Sequence, residues 1–316
     1  MDRGGLRRRS LPAIGALLAV LLHLPGPAPA EPRKVAAMIT YLGHAEPSRT
    51  PLSLVEPILE DEGLMGARQA IRDNQTTGRF VGHDYQLVER VAPVDADLVP
   101  LFEEALAAGE RLFIADLRIT DLTALAPLAD AAGALLLNSR AADVGLRTES
   151  CHVSVLHVIP DRAMKADALA QYLVWKRWQR WFLVYGSHPE DRAFADALRR
   201  AATRFGARIV EEREYEDPGG ARRTDSGHVQ IQSQMPVFTQ NVAAYDVLVV
   251  ADESEVFGEY LPYRTWDARP VAGTQGLVPT AWSRVHEQWG GTQVQRRFQN
   301  FAGRPMTERD HTAWLA

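Results

Sequence analysis

The chain has 316 residues, of which 46% are hydrophobic and 24% charged, and its formal net charge is −5. This composition is that of a globular protein long enough for two domains, and it excludes a disordered or fibrous chain. With one cysteine, Cys151, the chain can form no internal disulfide and no cysteine-based metal site. Because Cys151 precedes an apolar run, we expect a small buried side chain rather than a reactive thiol.

The first thirty residues have the layout of a secretory signal peptide. Arg7–Arg9 form a cationic head, Ala13–Leu24 is an apolar run, and the small residues Ala28 and Ala30 form an A-x-A cleavage site. The apolar run is too short to span a bilayer core of about 30 Å. We therefore predict cleavage after Ala30 and export to the periplasm. Removal of this segment, whose net charge is +3, leaves a chain of −8, which disfavours non-specific nucleic-acid binding.

Apolar, β-favouring segments recur along the remaining chain and alternate with helical patterns such as Val94–Gly109. The predicted strands are Lys34–Gly43, Tyr85–Val91, Leu112–Leu117, Ala134–Asn138, Val153–Ile159, Trp181–Tyr185, Ala207–Val210, Val247–Ala251 and Pro270–Ala272. Strands that alternate with helices predict βαβ units, and hence an α/β protein with parallel sheets covered on both faces.

The stretch Trp175–Gly186, WKRWQRWFLVYG, combines tryptophans with cations and could be a surface for nucleic acid or membrane. It follows a helical pattern that begins after Asp161, a candidate N-cap. Lys176, Arg177 and Arg180 fall at or just past the last turn, where cations complement the helix dipole. The apolar residues that follow predict a strand. The pattern therefore favours an ordinary joint between a helix and a buried strand, with no nucleic-acid role.

The second half of the chain contains a predicted helix start and a predicted loop. Ser187 and Glu190 have capping-box spacing at the start of another helix, and Pro189 falls in its first turn. The polar segment Glu216–Gln230 is rich in turn-forming residues and predicts an exposed loop.

The sequence contains no established catalytic motif: G-x-S-x-G, the P-loop, H-E-x-x-H and a strand-linked G-x-G-x-x-G are all absent. His152 and His157 flank an alternating strand, which favours structural roles. Asp252, Glu253 and Glu255 could coordinate a hard cation, but a charged first helical turn is the commoner explanation. We therefore predict no catalytic residue, no metal and no cofactor, and we do not expect an enzyme.

Several motifs resemble a known family. Gly63–Glu89 resembles the first helix and second strand of type I periplasmic solute-binding proteins, of the branched-chain amino-acid binding kind. His157–Gly186, followed by Ala197–Glu212, is similar to the crossover into the second lobe of that family. The motifs GRF-x-GH-x-Y (Gly78–Tyr85) and GRPMT-x-x-D-x-x-AW (Gly303–Trp314) resemble a subgroup associated with PQQ-dependent alcohol dehydrogenase systems. The resemblance extends over most of the chain after the signal peptide.

The resemblance implies a two-lobed type I periplasmic binding protein, each lobe a parallel sheet flanked by helices. In such a protein, residues 1–30 are the signal peptide, residues 31–158 form the first lobe (lobe 1) and residues 159–274 form the second lobe (lobe 2). Residues 275–316 are a return segment to lobe 1, which ends inside a helix. It implies a monomer that delivers a small solute, linked to PQQ-dependent alcohol oxidation, to the membrane subunits of an ABC importer.

The chain departs from this family in two places. The glycine- and serine-rich loop after the first strand is replaced by Gly43–Glu62, which weakens the expectation of amino-acid-type contacts. Thr307 and Asp310 begin a helix that no Gly, Asn or Pro ends, so we expect the C-terminal part of the fold to be truncated inside a helix.

Candidate ligand-binding residues follow the predicted strands, because open parallel sheets bind ligands beyond their carboxyl ends, and hinge closure of two lobes traps the ligand. Each candidate also has a structural explanation, such as a helix cap, a core position or a surface ion pair. Arg118 and Arg140 favour an anionic ligand, since guanidinium pairs with carboxylate or phosphate. The candidates are Asp116, Arg118, Asn138, Ser139 and Arg140 in lobe 1, with Tyr185, Asp252, Glu253 and Gln275 beyond it.

Two other functions stay open. A periplasmic enzyme would use Asp116, Asp252 and Glu253 as acid, base or metal ligands, with perturbed pKa values in a closed pocket. A sensing or scaffold protein would keep the binding fold without transport. The ligand itself could be an acid or alcohol derived from the dehydrogenase substrate, the quinone cofactor, or a metal chelate.

Overall fold

The computed structural model describes Met1 and residues 35–47, 59–216 and 230–316. The predicted signal peptide and most of the loop Glu216–Gln230 lie outside these ranges, as do residues 48–58 of the segment after the first strand. Among the helices of the described ranges, none has the length and hydropathy needed to cross a membrane.

The first lobe is a five-stranded parallel sheet in the order β2-β1-β3-β4-β5. Its strands are β1 (Val35–His44), β2 (His83–Ala92), β3 (Leu112–Asp116), β4 (Leu135–Asn138) and β5 (Val155–His157). Its helices are α1 (Leu64–Val81), α2 (Val99–Ala107) and α3 (Ile119–Ala132), and a 3₁₀ turn covers Val144–Arg147. Parallel neighbours require crossover connections, and the alternating pattern of the sequence supplies them.

The second lobe is a four-stranded parallel sheet in the order β7-β6-β8-β9. Its strands are β6 (Arg180–Gly186), β7 (Arg208–Tyr215), β8 (Val247–Ala251) and β9 (Val271–Gly273). Its helices are α4 (Arg162–Trp175), α5 (Pro189–Phe205), α6 (Ile231–Phe238) and α7 (Leu261–Arg264). The predicted α/β architecture of two helix-flanked parallel sheets is confirmed.

The central strand β6 is buried on both faces. Trp181 and Leu183 enter the core formed with α4 and α5, while Phe182 and Val184 enter the core formed with α6 and α7. A strand covered on both faces is apolar along its whole length, which explains why WFLV stands out in the sequence.

The joint between α4 and β6 has the structure predicted for WKRWQRW. Asp161 caps α4 by accepting a bond from the backbone N–H of Met164. Trp181 is fully buried, and its indole N–H donates to the Trp178 carbonyl at 2.8 Å. Trp175, at the end of the helix, is instead 72% exposed.

Two sequence predictions are wrong. Cys151 is exposed, because β5 begins only at Val155 and Cys151 lies in the loop before it. The N-cap of α5 is His188 rather than Ser187, and its third residue, Asp191, completes the capping box instead of Glu190. Pro189 takes the first helical position, where its missing N–H is no loss, and this places the cap one residue before it.

After β9 the chain returns to the first lobe through α8 (Gly291–Ala302) and α9 (Glu308–Leu315). The predicted helix start is confirmed: Thr307 and Asp310 form a capping box. Asp310 is fully buried and also accepts bonds from the Gly63 N–H at 2.9 Å and from Arg304 Nη1 at 2.5 Å. A Cβ on Gly66 would lie 1.9 Å from the Asp310 carbonyl oxygen, so α1 and α9 meet backbone to backbone.

His311 of α9 stacks with two indole rings. Its imidazole stacks on Trp282 with centroids 4.4 Å apart and on Trp314 at 6.0 Å. Burial lowers the pKa of His311, although Glu308 acts in the opposite direction. The folded protein therefore holds a neutral imidazole here more strongly than the unfolded chain does.

This imidazole should make stability depend on pH. As the pH falls below about 6.5, the unfolded chain takes up a proton that the folded site resists, so the free energy of unfolding decreases. Thermal melts between pH 7.5 and pH 5 should therefore show a steeper loss of stability for the wild type than for His311→Phe, which keeps a flat ring beside the indoles. Parallel profiles for the two proteins would contradict this role of His311.

Candidate functional site

The carboxyl end of β3 carries a buried ionic cluster. Asp116 is 2% exposed, and its Oδ2 accepts bonds from the Tyr41 hydroxyl at 2.6 Å and from Arg309 Nη2 at 2.9 Å. Arg309 comes from α9 and also pairs with Glu46 at 2.7 Å and Glu62 at 3.2 Å. The return helix thus places a cation among three carboxylates at the strand end.

The cluster fixes the charge of its members. Burial, followed by the nearby Asp116 carboxylate, raises the pKa of the Tyr41 hydroxyl above its ordinary value. For Arg309, burial alone would lower the pKa, but Asp116, Glu62 and Glu46 outweigh it and the pKa is raised. Tyr41 is therefore a neutral donor and Arg309 a permanent cation.

Asp116, within this cluster, keeps an unused acceptor oxygen, and Arg140 lies next to it. Asp116 Oδ1 is buried and has no hydrogen-bond partner in the part of the chain that the structure describes. Arg140 Nη1 lies 3.8 Å from this oxygen, and the same nitrogen lies 3.4 Å from Glu46. A buried acceptor and a partly exposed donor therefore stand side by side at the strand ends.

The other first-lobe candidates hold the protein together. The Asn138 side chain donates to the Ala141 carbonyl at 2.7 Å and accepts from the Ala141 N–H at 2.9 Å. Ser139 is buried, and its hydroxyl donates to a backbone carbonyl of β3. Arg118 pairs with Asp95 at 2.9 Å in an exposed position. These contacts leave their ligand roles as untested predictions.

In the second lobe Asp252 closes its own loop. Its carboxylate accepts bonds from the backbone N–H groups of Val256, Phe257 and Gly258 at 2.6 to 2.9 Å. Asp252 therefore has a structural role in its loop, but the predicted charged first helical turn is wrong, because the next element is a 3₁₀ turn at Gly258–Tyr260 whose N-cap position is Phe257. A carboxylate saturated by backbone donors has little capacity left for a ligand.

Two other second-lobe candidates, Tyr185 and Gln275, are half-buried. Tyr185 is half-buried against the core of α4 and α5, and the Arg199 guanidinium covers its ring at 4.9 Å. Gln275 is half-buried beside Gly258. The ligand roles of Tyr185 and Gln275 stay predictions.

Arg162 joins the two lobes. It is the first residue of α4, and its Nη1 donates to Asp143, in the loop after β4, at 2.8 Å. Its Nε and Nη2 donate to Glu253, in the loop after β8, at 2.9 and 2.8 Å. Burial would lower the pKa of Arg162, but the two carboxylates raise it; burial raises the pKa of Glu253 against the pull of Arg162. Loops at the carboxyl ends of both sheets thus meet on one guanidinium.

A cavity of about 520 Å³ adjoins this bridge and is shared by both lobes. Its volume lies in the range of about 300–1,000 Å³ that is usual for small-molecule sites. The first-lobe lining is Ile119, Asp143, Val144, Gly145, Leu146 and Ser150; the second-lobe lining is Arg162, Ala163, Ala193, Asp196, Ala197 and Arg200. The lining combines an apolar surface with charges of both signs.

Sequence reasoning missed every residue of this cavity and also Arg309. The strand-end rule selects residues that directly follow a strand, whereas the cavity is lined by the flanks of α4 and α5 and by a 3₁₀ turn. A charged residue directly after the Asp161 cap was the one available signal for Arg162. In the described ranges, no group of three or more His, Cys, Asp or Glu residues could hold a metal ion.

Comparison with known proteins identifies the architecture. Residues 101–236 match the family model described as periplasmic binding protein. An ABC transporter substrate-binding protein from Desulfitobacterium hafniense is 17% identical, with a TM-score of 0.63 over 89% of this chain and 81% of that chain. A leucine-, isoleucine-, valine-, threonine- and alanine-binding protein from Brucella ovis, in its closed conformation, is 13% identical, with a TM-score of 0.65 over 90% and 75%.

A third structure, a branched-chain amino acid transporter substrate-binding protein from Streptococcus pneumoniae in complex with isoleucine, is 12% identical. Its TM-score is 0.62 over 89% of this chain and 81% of that chain. No curated protein gives a match. At these identities the likeness establishes the fold, a two-lobed type I periplasmic binding architecture, and the family model that matches residues 101–236 points in the same direction.

Proposed function

We propose that the protein captures a small solute between its two lobes and delivers it to the membrane subunits of an ABC importer. The observation that carries this proposal is the cavity of about 520 Å³ lined from both lobes. It adjoins the Arg162 bridge, so a change in the angle between the lobes would change the cavity. The similar proteins named as transporter substrate-binding proteins, one of them of an ABC transporter, support the same role.

The solute is proposed to carry an anionic group. In the cavity, Arg200 uses Nη2 to bind Asp167 and the Ala163 carbonyl, and its other N–H groups have no partner in the described residues. Arg140 offers a second partly exposed guanidinium at the strand ends of the first lobe. A guanidinium with free N–H groups favours carboxylate or phosphate. Asp116 and Glu253 remain proposed solute contacts, with the other predicted strand-end residues.

The proposal also includes the bounds of the lobes, the location of the protein and the class of the solute. We place the lobes at 31–158 and 159–274, with 275–316 as the return segment, in a periplasmic monomer that loses residues 1–30. The resemblance of the motif GRPMT-x-x-D-x-x-AW supports a link to PQQ-dependent alcohol oxidation, in which case the anionic solute is an acid of that process.

Filling the cavity should abolish solute binding. Ala163→Phe places a ring in the cavity, whereas Ala168→Phe adds the same ring on the exposed side of the same helix. Native mass spectrometry of protein from its own cells would give the mass of the retained solute. Isothermal titration calorimetry with that solute should show at least a tenfold loss of affinity for Ala163→Phe and little change for Ala168→Phe.

The chemical class is tested with L-leucine and two fragments, 4-methylpentanoate, which lacks the amine, and 3-methylbutylamine, which lacks the carboxylate. An anionic preference predicts that 3-methylbutylamine binds at least tenfold more weakly than 4-methylpentanoate. Stronger binding of the amine would contradict the anionic proposal. Conversion of any solute to a product would instead favour the enzyme alternative.

A further inference from the structure

The amino-terminal edge of the second sheet gathers positive charge. All four strands are parallel, so their first residues lie at one edge, and α4 and α5 run back to that edge and end there. Arg180 and Arg208 are register partners at the starts of β6 and β7. The basic edge consists of Lys176, Arg177, Arg180, Arg204, Arg208 and Arg269.

Most of this charge is not neutralised. Arg180 pairs with Asp246 at 2.7 Å, and Arg204 pairs with Asp167 at 2.6 Å. The remaining four members of the basic edge are exposed and form no ion pair with any carboxylate in the described ranges; Asp267 is a further acid, two residues before Arg269 in the chain. The whole chain has a net charge of −5, so this edge opposes the overall sign.

An exposed aromatic group accompanies these cations. Trp175 is 72% exposed at the end of α4, and Lys176 Nζ lies 5.3 Å from its ring centroid and 5.9 Å from that of Tyr172. Trp266, in the connection into β9, is 62% exposed. Packing of the joint is already achieved by Trp178 and Trp181, so the exposure of Trp175 needs another explanation.

We propose that the basic edge is a docking surface for an anionic lipid bilayer. Indole and phenol rings favour the headgroup region, where lysine and arginine stems extend to meet anionic headgroups. Clustered basic residues bind such surfaces electrostatically. The loops joined by Arg162 lie at the opposite, carboxyl edges of the sheets. A protein docked by its basic edge therefore keeps the interlobe cavity away from the bilayer, so this docking is a step separate from solute delivery to membrane subunits.

Vesicle sedimentation tests the proposal on the protein as it is recovered from cells. Partition onto vesicles of 70% phosphatidylcholine and 30% phosphatidylglycerol should exceed partition onto pure phosphatidylcholine at least tenfold and decrease with added salt. Each cation removed should weaken partition about fivefold, so Lys176→Gln with Arg177→Gln should weaken it about 25-fold. Trp175→Ala should weaken partition onto the anionic vesicles as well.

Matched variants away from the edge provide the controls. Arg79→Gln with Arg296→Gln removes two exposed cations of the first lobe, and Trp289→Ala removes another exposed indole. Both should leave partition unchanged. Equal partition onto both vesicle types, or an equal loss in the control variants, would overturn the proposal. Tighter binding of the same edge to a 20-base-pair DNA duplex than to anionic vesicles would overturn it in favour of nucleic acid.

Discussion

Replacing Asp310 by Asn should lower the free energy of unfolding by about 3–5 kcal/mol, the usual cost of removing one partner of a buried ion pair. The Asp310 carboxylate is fully buried and binds Arg304, the Thr307 backbone and hydroxyl, and the Gly63 N–H. Asn keeps one acceptor oxygen but places an NH₂ group among donors and leaves Arg304 without its charge partner. Urea titration followed by circular dichroism measures the loss.

The control for this substitution is Asp196→Asn. Asp196 pairs with Arg199 at the surface, and its side chain is largely exposed. Removing an exposed pair of this kind costs about 0–1 kcal/mol. Similar losses for the two variants would show that Asp310 is not the anchor between α1 and α9.

Gly66→Ala should destabilise the protein by more than 2 kcal/mol, although the same change stabilises an ordinary helix interior by about 1 kcal/mol. Gly66 lies inside α1, and its added Cβ would lie 1.9 Å from the carbonyl oxygen of Asp310 and 2.6 Å from the carbonyl carbon. Both obstacles are backbone, so relief requires α9 to move away and its capping contacts to weaken. The reversed sign makes this substitution diagnostic.

Thermal and urea unfolding of Gly66→Ala should be compared with Gly145→Ala. Gly145 lies in the 3₁₀ turn, and an added Cβ meets only the flexible Glu149 carboxylate at 3.4 Å. That control should change stability by less than about 1 kcal/mol. A Gly66→Ala protein as stable as the wild type would mean that α9 does not pack on α1 as described.

The fold was predictable wherever burial leaves a strong periodic signal. Central strands such as β6 and β8 are covered on both faces and read as uninterrupted apolar runs. The edge strand β7 extends to Tyr215, five residues beyond its prediction, because residues 211–214 are all charged and form no apolar run. Caps at Asp161 and Thr307 were predictable because a side chain and its backbone partner lie three residues apart.

The site was far less accessible from sequence. Arg309 approaches Asp116 from 193 residues away, and Arg162 reaches Glu253 across 91 residues. Such pairs leave no periodic trace in a single sequence, because their spacing depends on how whole lobes pack. Asp116 and Asp252 lie at strand ends as expected, yet the position rule could not distinguish a saturated loop carboxylate from one with an unused oxygen.

The bond between Gly63 and Asp310 also bears on the order in which the chain folds. Its partners are 247 residues apart, whereas the described second lobe, from α4 to β9, is one continuous stretch of chain. The second lobe can therefore assemble from its own stretch of chain while α1 still lacks its capping carboxylate and its packing partner. Long-range contacts of this kind form late and slowly, so α9 sets the moment at which the first lobe is complete.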